Sequence, residues 1–487
     1  MAMNLDRLKS VPCKGGLIPA DDDRIERFRE DTMMRGSPDA VLIARDEQEV
    51  AEALAFCNGN NIPVTFCGAQ TSMTGASVAN SGLIISTERL DGVVDIKTAG
   101  NIASVFVRPG TVVADLQRSV ADAGYFYPVA PTSRDDCFIG GNINTNATGE
   151  DSYKYGPVRQ YVRQLEIILA DGARRTLERE HGEAPSGERN RAGYFTGWKN
   201  PIDLIIGSEG TLAFVSKIEL SLLPSSPEFF SALMPMPSTE AALKFVVDIA
   251  TGRAGLDART LELIDNGALK LMRTADGFPN LPNDVAALLY IKQEFSNEVE
   301  RDELLARWYE AALPFATPAL ADRILIAVTR EEQECFRLWR HRIPDAANEI
   351  GHGYWPNGGS KIGSDWWVPI ERIMEMMEFF YSQAAATGLV HMGYAHIGAG
   401  HPHTNILAPG PEEKQRAHDV LSRCCRKAVE LGGGVAGEHG IGKIHADLLP
   451  IQHSAAAIEQ MKNWKREYDP NWILGQGTIF EANSSHA

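Results

Sequence analysis

Between Asp46 and Asn60 the apolar residues Val50, Ala53, Leu54 and Phe56 recur at helical spacing, and the short run 63–66 that follows reads as a strand. A loop of small residues comes next. Residues 83–87, 93–97 and 103–108 read as strands and 112–123 as a helix, and strands clustered with occasional helices indicate an α+β fold. The stretch 137–156 is dense in Gly, Asn and Thr with little apolar periodicity, which predicts an extended loop beside a site. A strand pair, 164–170 and 214–222, closes this region before Pro224, and the polar insertion 178–192 between them is expected as an exposed loop.

After Pro224 glycines thin out and the pattern becomes strand, helix (240–250), strand (286–293), helix (298–312). Helices at 330–348 and 370–387 and a histidine-rich strand-and-turn segment at 389–407 follow. The last stretch, from Gly432 to Phe480, is glycine-rich at its start and helical at 455–468. The expected division is an N-terminal segment 1–37, a first domain 38–223, a second domain 224–430 and a C-terminal segment 431–487.

The length, 487 residues, allows about three packing units at roughly 150 residues each. Hydrophobic residues at 44% and charged residues at 23% exclude a mostly disordered or fibrous chain. Forty-seven basic against 64 acidic residues give a net charge of -17, which argues against nucleic acid and anionic membrane surfaces as partners. Any small acidic substrate must then be drawn in by local cationic groups. The seven cysteines are scattered and contain no C-x-x-C pair, as expected in a reducing compartment. Residues 1–20 lack an apolar signal-peptide core and no window reaches the ~18 apolar residues of a membrane span, so a soluble, cytoplasmic protein is expected.

Three loops are candidates for cofactor binding. In Cys67 to Ser77, with Gly68, Ala69, Gln70, Thr71, Ser72, Thr74 and Gly75, several backbone amides could face one anion such as a diphosphate; a plain turn is the alternative. In Ile139 to Gly149, the glycines Gly140, Gly141 and Gly149 allow close approach, while Asn142, Asn144 and Asn146 offer donors and acceptors suited to a polar ring system. Gly207 to Leu212, with Glu209, Gly210 and Thr211, is a tight turn ahead of a strand, or simply a hairpin.

Seven of the 12 histidines lie between His391 and His445. His401, His403 and Asn405 fall at a spacing of two, which puts them on one side of an extended segment. The Gly398-Ala399-Gly400 turn could fold His396 back towards them. Two imidazoles and one carboxylate make a usual divalent-metal set, and Glu438 supplies a carboxylate in a second glycine-rich turn; surface or core-satisfied histidines are the alternative. His439, beside Glu438, is placed for proton transfer. Among cations, Arg340 and Arg342 lie close together on a helix and Lys361 follows in a Gly-Gly-Ser-Lys loop; arginine can bind a carboxylate through paired hydrogen bonds, or lie on a solvated face. Cys424 and Cys425 read as packing residues.

Together these segments, over roughly 38–477, resemble the FAD-linked oxidase family with the vanillyl-alcohol-oxidase or p-cresol-methylhydroxylase type of flavin domain. The carriers are the small-residue loop, Ile-Gly-Gly-Asn at Ile139 to Asn142 and Gly-Ser-Glu-Gly-Thr-Leu at Gly207 to Leu212. His-x-Gly-x-Gly-x-x-His at His396 to His403 and Glu-His-Gly-Ile-Gly at Glu438 to Gly442 resemble its D-2-hydroxyacid dehydrogenase branch. The resemblance implies an α+β fold: a two-part p-cresol-methylhydroxylase-type FAD-binding domain, a substrate (cap) domain, and a C-terminal segment returning to the flavin site. It implies FAD on the residues named above, with Pro131, Thr132, Tyr155 and Gly156 added to the cofactor set. It further implies a divalent metal on His396, His403 and Glu438, His439 as base, Asn405 in contact with substrate, and Arg340, assisted by Lys361, on the substrate carboxylate.

Some positions depart from the branch. Its usual Asp and Asn inside the histidine motif are Ala399 and His401, so His401 could join or replace a ligand; Pro344 stands for a threonine, and Lys361 is displaced by two residues. The implied reaction converts a D-2-hydroxy acid of the D-lactate, glycolate or D-2-hydroxyglutarate type to the 2-oxo acid. Zinc suits the metal set, with manganese or iron as alternatives. The electron acceptor is left open between an electron-transfer flavoprotein, a quinone and another protein, and the oligomeric state is left open with a homodimer as one alternative. Rival readings are an aromatic alcohol oxidase or another flavoenzyme of this fold, a non-catalytic FAD-binding subunit, and a metallohydrolase without flavin.

Overall fold

The computed structural model describes residues 7–14, 16–99, 102–180 and 190–481 of the chain, which forms two compact units. The first comprises Met1–Gly149, Gly156–Ser226 and Glu438–Ala487, and the second Glu150–Tyr155 and Pro227–Gly437. The domain step expected at 223/224 thus falls at 226/227, and the C-terminal segment joins the first unit from Glu438 rather than 431. The N-terminal segment is no separate piece: Leu17–Pro19 pairs with Ala40–Ile43, and Ile25 and Phe28 are buried with Val41 and Ile84.

In the first unit, Asp46 caps the helix Glu47–Asn60 by accepting from the Glu49 amide, and Asn61 in the left-handed conformation (φ 52°) stops it. Its stripe Val50, Ala53, Leu54 and Cys57 is buried in the same core as Leu42, Val64, Leu83 and Ile85 from a sheet in which Ala40–Ile43 and Val64–Cys67 run parallel to Leu83–Ser86. A second, antiparallel sheet runs Val93–Ala99, Ile102–Val107, Phe214–Pro224, Val162–Ile168, Arg174–Glu178. Of the insertion expected as an exposed loop, residues 181–189 lie outside the described residues.

The stretch expected to be extended instead contains the helix Ile139–Thr145. Ile139 and Ile143, four apart, are its buried side, and Gly140 lets it approach Pro109 so closely that a Cβ would stand 2.6 Å from the proline ring. A stripe of only two isoleucines among glycines and amides is too short to register as a helical period.

The second unit is built on a seven-stranded antiparallel sheet in the order Leu325–Ala327, Glu228–Met236, Ala287–Phe295, Thr260–Ile264, Val390–Ala395, His403–Ala408, Ser360–Gly363. The helices Thr239–Ala250 and Glu298–Ala312 match expectation, while Arg330–Tyr354 runs six residues past its expected end despite Pro344. The register, Lys361 opposite Leu407, Met392 opposite Asn405 and Tyr394 opposite His403, puts Lys361, Asn405, His403 and Tyr394 on one side of the sheet. Through Ile264 opposite Tyr394, Glu262 shares that side. Lys361 therefore sits on an edge strand, not in a loop. Gly351 admits the contact with helix Arg330–Tyr354, since a Cβ there would lie 2.7 Å from the Lys361 Cβ.

Candidate active site

Within the first unit, the helix Ile139–Thr145 and the turn Gly207 to Leu212 are joined into one wall. The helix end leaves carbonyls without intrahelical donors, and the amides of Gly207 and Glu209 fill them, on Ile143 (3.0 Å) and Asn144 (2.8 Å). Asn144 Oδ1, Asn146 Nδ2 and the Ser208 hydroxyl are buried in this wall with no hydrogen-bond partner among the described residues. Unmet buried polar atoms cost about 1–3 kcal/mol each, so this row calls for a polar ligand and suits the ring system of a flavin. In the small-residue loop, the backbone amides from Gly68 to Met73 likewise find no acceptor among the described residues, which is what a diphosphate nest requires. Among the described residues, four of the seven non-glycine residues with positive φ, Gln70, Asn146, Glu209 and Ala395, lie in candidate segments, as strain held at functional sites does. Replacing Asn144 by Leu or Ser208 by Val should each weaken FAD binding about tenfold, measured by titrating the apoprotein with FAD; unchanged affinity would remove these atoms from the cofactor site.

Several residues expected on the cofactor have other partners. Tyr155 belongs to the second unit, where its hydroxyl donates to Glu294. The Thr211 hydroxyl bonds the Ser208 carbonyl (2.7 Å) and Tyr194 (2.6 Å). The Gly75 amide donates to Asp31 (2.9 Å), Gln70 Nε2 donates to the Glu30 carbonyl (2.6 Å), and Gly149 is required where a Cβ would strike the Ala130 carbonyl at 2.1 Å. Gly156 makes a turn at φ 72°, and the Pro131 carbonyl accepts from the Arg134 amide. Glu209 is turned to the C-terminal segment: its two oxygens accept from the Ile441 and Gly442 amides at 2.9 and 2.7 Å. The amides of Lys443 and Ile444 donate to the Thr74 carbonyl, and Lys443 Nζ bonds Thr478 (2.9 Å). The turn bearing His439 is thus tied to two of the candidate cofactor segments of its own unit, an arrangement that no local sequence signal announced.

Within the second unit, the Gly398 to Gly400 turn does fold His396 back: its ring centroid lies 5.4 Å from that of His403 and 6.1 Å from that of His401. His403 and Asn405 share a strand face as expected, whereas His401 precedes the strand, its ring 5.1 Å from that of His403. His396 Nδ1 lies 3.2 Å from Glu262 Oε1, and His401 Nε2 lies 2.9 Å from Asp365 Oδ1. For His396, the carboxylate on one ring nitrogen fixes the imidazole and leaves the other nitrogen to bind, the usual support of metal-bound histidine. Glu438, the third expected ligand, is the first residue of the other unit's C-terminal piece.

The two expected carboxylate-binding cations differ. Arg340, 2% exposed, donates from Nε and Nη2 to Glu262 at 2.9 and 3.1 Å, so two of its donors already hold a carboxylate. Lys361, 3% exposed, donates to the neutral Asn348 Oδ1 at 2.5 Å and has no carboxylate partner among the described residues. Burial pushes its amine down to about 8. Arg342 is half-buried and paired with Glu349 at the surface, the solvated alternative. Glu150 and Asp151, missed by sequence reasoning, hold the segment Glu150–Tyr155 in the second unit through buried pairs with Lys292 and Arg259.

The first unit holds a wall of buried, unmet amide and hydroxyl atoms, and the second a buried lysine on the sheet face of His403; the class of protein, an FAD-dependent oxidoreductase, follows from its relatives. Residues 38–178 match the FAD binding domain family and residues 227–479 the C-terminal domain of FAD linked oxidases, and the chain belongs to this family of FAD-linked oxidases. It is 30% identical over 448 residues to the glycolate oxidase subunit GlcD of Bacillus subtilis (strain 168), covering 91% of this chain and 89% of that protein. Identity is 26% to a probable mitochondrial D-lactate dehydrogenase of Danio rerio (98% and 92% covered) and 27% to a probable mitochondrial D-2-hydroxyglutarate dehydrogenase of Oryza sativa subsp. indica (96% and 79%). Among solved structures, 4-ethylphenol oxidase from Gulosibacter chungangensis superposes with a TM-score of 0.73 at 15% identity, covering 100% of this chain and 98% of that one, which establishes the fold. No helix among the described residues is long and apolar enough to cross a membrane.

Proposed function

We propose that this chain oxidises a D-2-hydroxy acid of the D-lactate, glycolate or D-2-hydroxyglutarate type to the corresponding 2-oxo acid. The observation that carries the reading is Lys361, a buried amine without a carboxylate partner among the described residues, on the sheet face that also presents Asn405 and His403. FAD, when bound, supplies the two-electron acceptor for the α-hydrogen, and a divalent cation on the histidine cluster would favour loss of the hydroxyl proton. Lys361 holds the substrate carboxylate, and Asn405 orients the substrate beside it. Arg340 serves through Glu262, whose carboxylate it holds against His396. His439 accepts the hydroxyl proton, a role that rests on the resemblance at Glu438 to Gly442. The names of the relatives support the substrate class, and the proposed acceptor is an electron-transfer flavoprotein, a quinone or another protein.

The test is an anaerobic titration of the metal-replete holoprotein with D-lactate, glycolate, D-malate, D-2-hydroxyglutarate and the L-enantiomers, followed by the visible flavin absorbance. Rapid bleaching by a D-acid, abolished in His439→Ala, is the expected result. Bound FAD that none of these acids bleaches would end the hydroxy-acid reading.

A further inference from the structure

We propose that Asp365, His401 and His403 bind a first-row divalent cation wholly within the second unit, with His401 as the ligand that separates this chain from the His396, His403 and Glu438 set implied by its resemblance. The inference rests on the hydroxy-acid reading for its role in the reaction, and on geometry for its position. One ligand atom from each of the three residues lies within 4.8 Å of the other two, and two imidazoles with one carboxylate suit zinc, iron or manganese. His401 Nε2 and Asp365 Oδ1, 2.9 Å apart, have the spacing of adjacent ligands on a cation with bonds of about 2.1 Å.

The three side chains are held before any ion arrives. Ser364, next to Asp365, is clipped to Thr404, next to His403: the Ser364 amide donates to the Thr404 carbonyl (2.8 Å), the Thr404 amide to the Ser364 hydroxyl (3.2 Å), and the two hydroxyls meet at 2.5 Å. Asp365 Oδ2 accepts from the Gly437 amide at 3.1 Å, which leaves Oδ1 facing His401. Gly437 can be only glycine there, because a Cβ would stand 2.7 Å from the His401 ring. Gly400 (φ 70°), whose carbonyl accepts from the Val368 amide, fixes the backbone ahead of His401. Asp365 and His401 are buried, so a cation there would be shielded from water. A hydrogen-bonded His–Asp pair could exist for packing alone, but packing does not require His403 to bring a third ligand atom into range. His403 lies on the same strand as Asn405, on the sheet face that also carries Lys361, which places cation and carboxylate anchor on one unit's sheet.

The experiment compares the FAD-loaded full chain with His401→Asn, Asp365→Asn and His396→Gln after chelation, titrating Zn2+ against a chromophoric chelator. His401→Asn and Asp365→Asn should each lower Zn2+ affinity about a hundredfold or more while the flavin absorbance per chain is unchanged, and His396→Gln should lower it less than either. Crystals of the wild-type chain soaked in Zn2+ should show an anomalous peak at bonding distance from Asp365, His401 and His403, a result that does not depend on how the variants fold. Wild-type affinity in both His401→Asn and Asp365→Asn, an anomalous peak away from these residues, or no Zn2+ uptake would each overturn the proposal. Bleaching by a D-acid in that event would leave the hydroxy-acid reading standing, and its absence would end that reading separately.

Discussion

Lys361→Met should raise the KM for the D-2-hydroxy acid by about a hundredfold to a thousandfold and change kcat much less. A charge-assisted bond from a buried amine to a carboxylate is worth about 1.5–3 kcal/mol, and stranding the substrate's carboxylate opposite Met adds a desolvation penalty. Binding is lost in ground state and transition state alike, so the effect falls on KM. The pH dependence supplies a second, independent signature. Burial pushes the Lys361 amine down to about 8, so the charged form that attracts the substrate is present below that pH and is lost as pH rises through it. The kcat/KM profile of the wild type should fall above about pH 8; Lys361→Arg, charged throughout, should abolish that limb, and Lys361→Met should flatten it at a low value.

The same residue makes a stability prediction of opposite sign. A drop from 10.5 to about 8 corresponds to about 3 kcal/mol by which the fold disfavours the charged amine, fully present below pH 8 and relieved as pH rises towards 10.5. The Met variant should therefore be at least as stable as the wild type in urea at pH 7. A more stable, poorly binding variant is the mark of a residue kept for function. Unchanged KM in Lys361→Met would return the carboxylate to Arg340 and displace Glu262 from its observed pairing.

The sequence exposed helices where apolar residues repeated at helical spacing, as in Glu47–Asn60 and Glu298–Ala312, and missed Ile139–Thr145, whose helix rests on two isoleucines and a proline contact distant in sequence. The candidate site was legible as motifs, because glycines, asparagines and histidines at close spacing survive without three-dimensional context. What motifs could not carry was partnership. Nothing near Arg340 in sequence announces that Glu262, 78 residues away, occupies its guanidinium. Nothing in Gly-Ser-Glu-Gly-Thr-Leu shows that the carboxylate reaches residues 441 and 442. Long-range pairing of this kind is decided by strand register, which one sequence does not display.

Glu209→Gln should lower kcat about a hundredfold while KM stays within about threefold and FAD affinity is unchanged. Glu209 sits at φ 53°, a conformation costing a non-glycine residue of order 1 kcal/mol, and from there its two oxygens take the Ile441 and Gly442 amides. Gln keeps the volume but turns an NH2 group toward one of those donors, leaving a buried amide unmet. The turn bearing His439 then shifts, and a misplacement of about 1 Å in a proton-accepting group is enough for a loss of that size. Gly440→Ala attacks the same contact from the other side, since its Cβ would lie 2.8 Å from the Glu209 carboxylate at a backbone φ of 85°. Both variants should speed hydrogen exchange at residues 441 and 442 while exchange in the helix Ile139–Thr145 stays slow. A weakened FAD affinity with normal kcat at saturating FAD would instead put Glu209 on the cofactor and leave His439 positioned by other contacts.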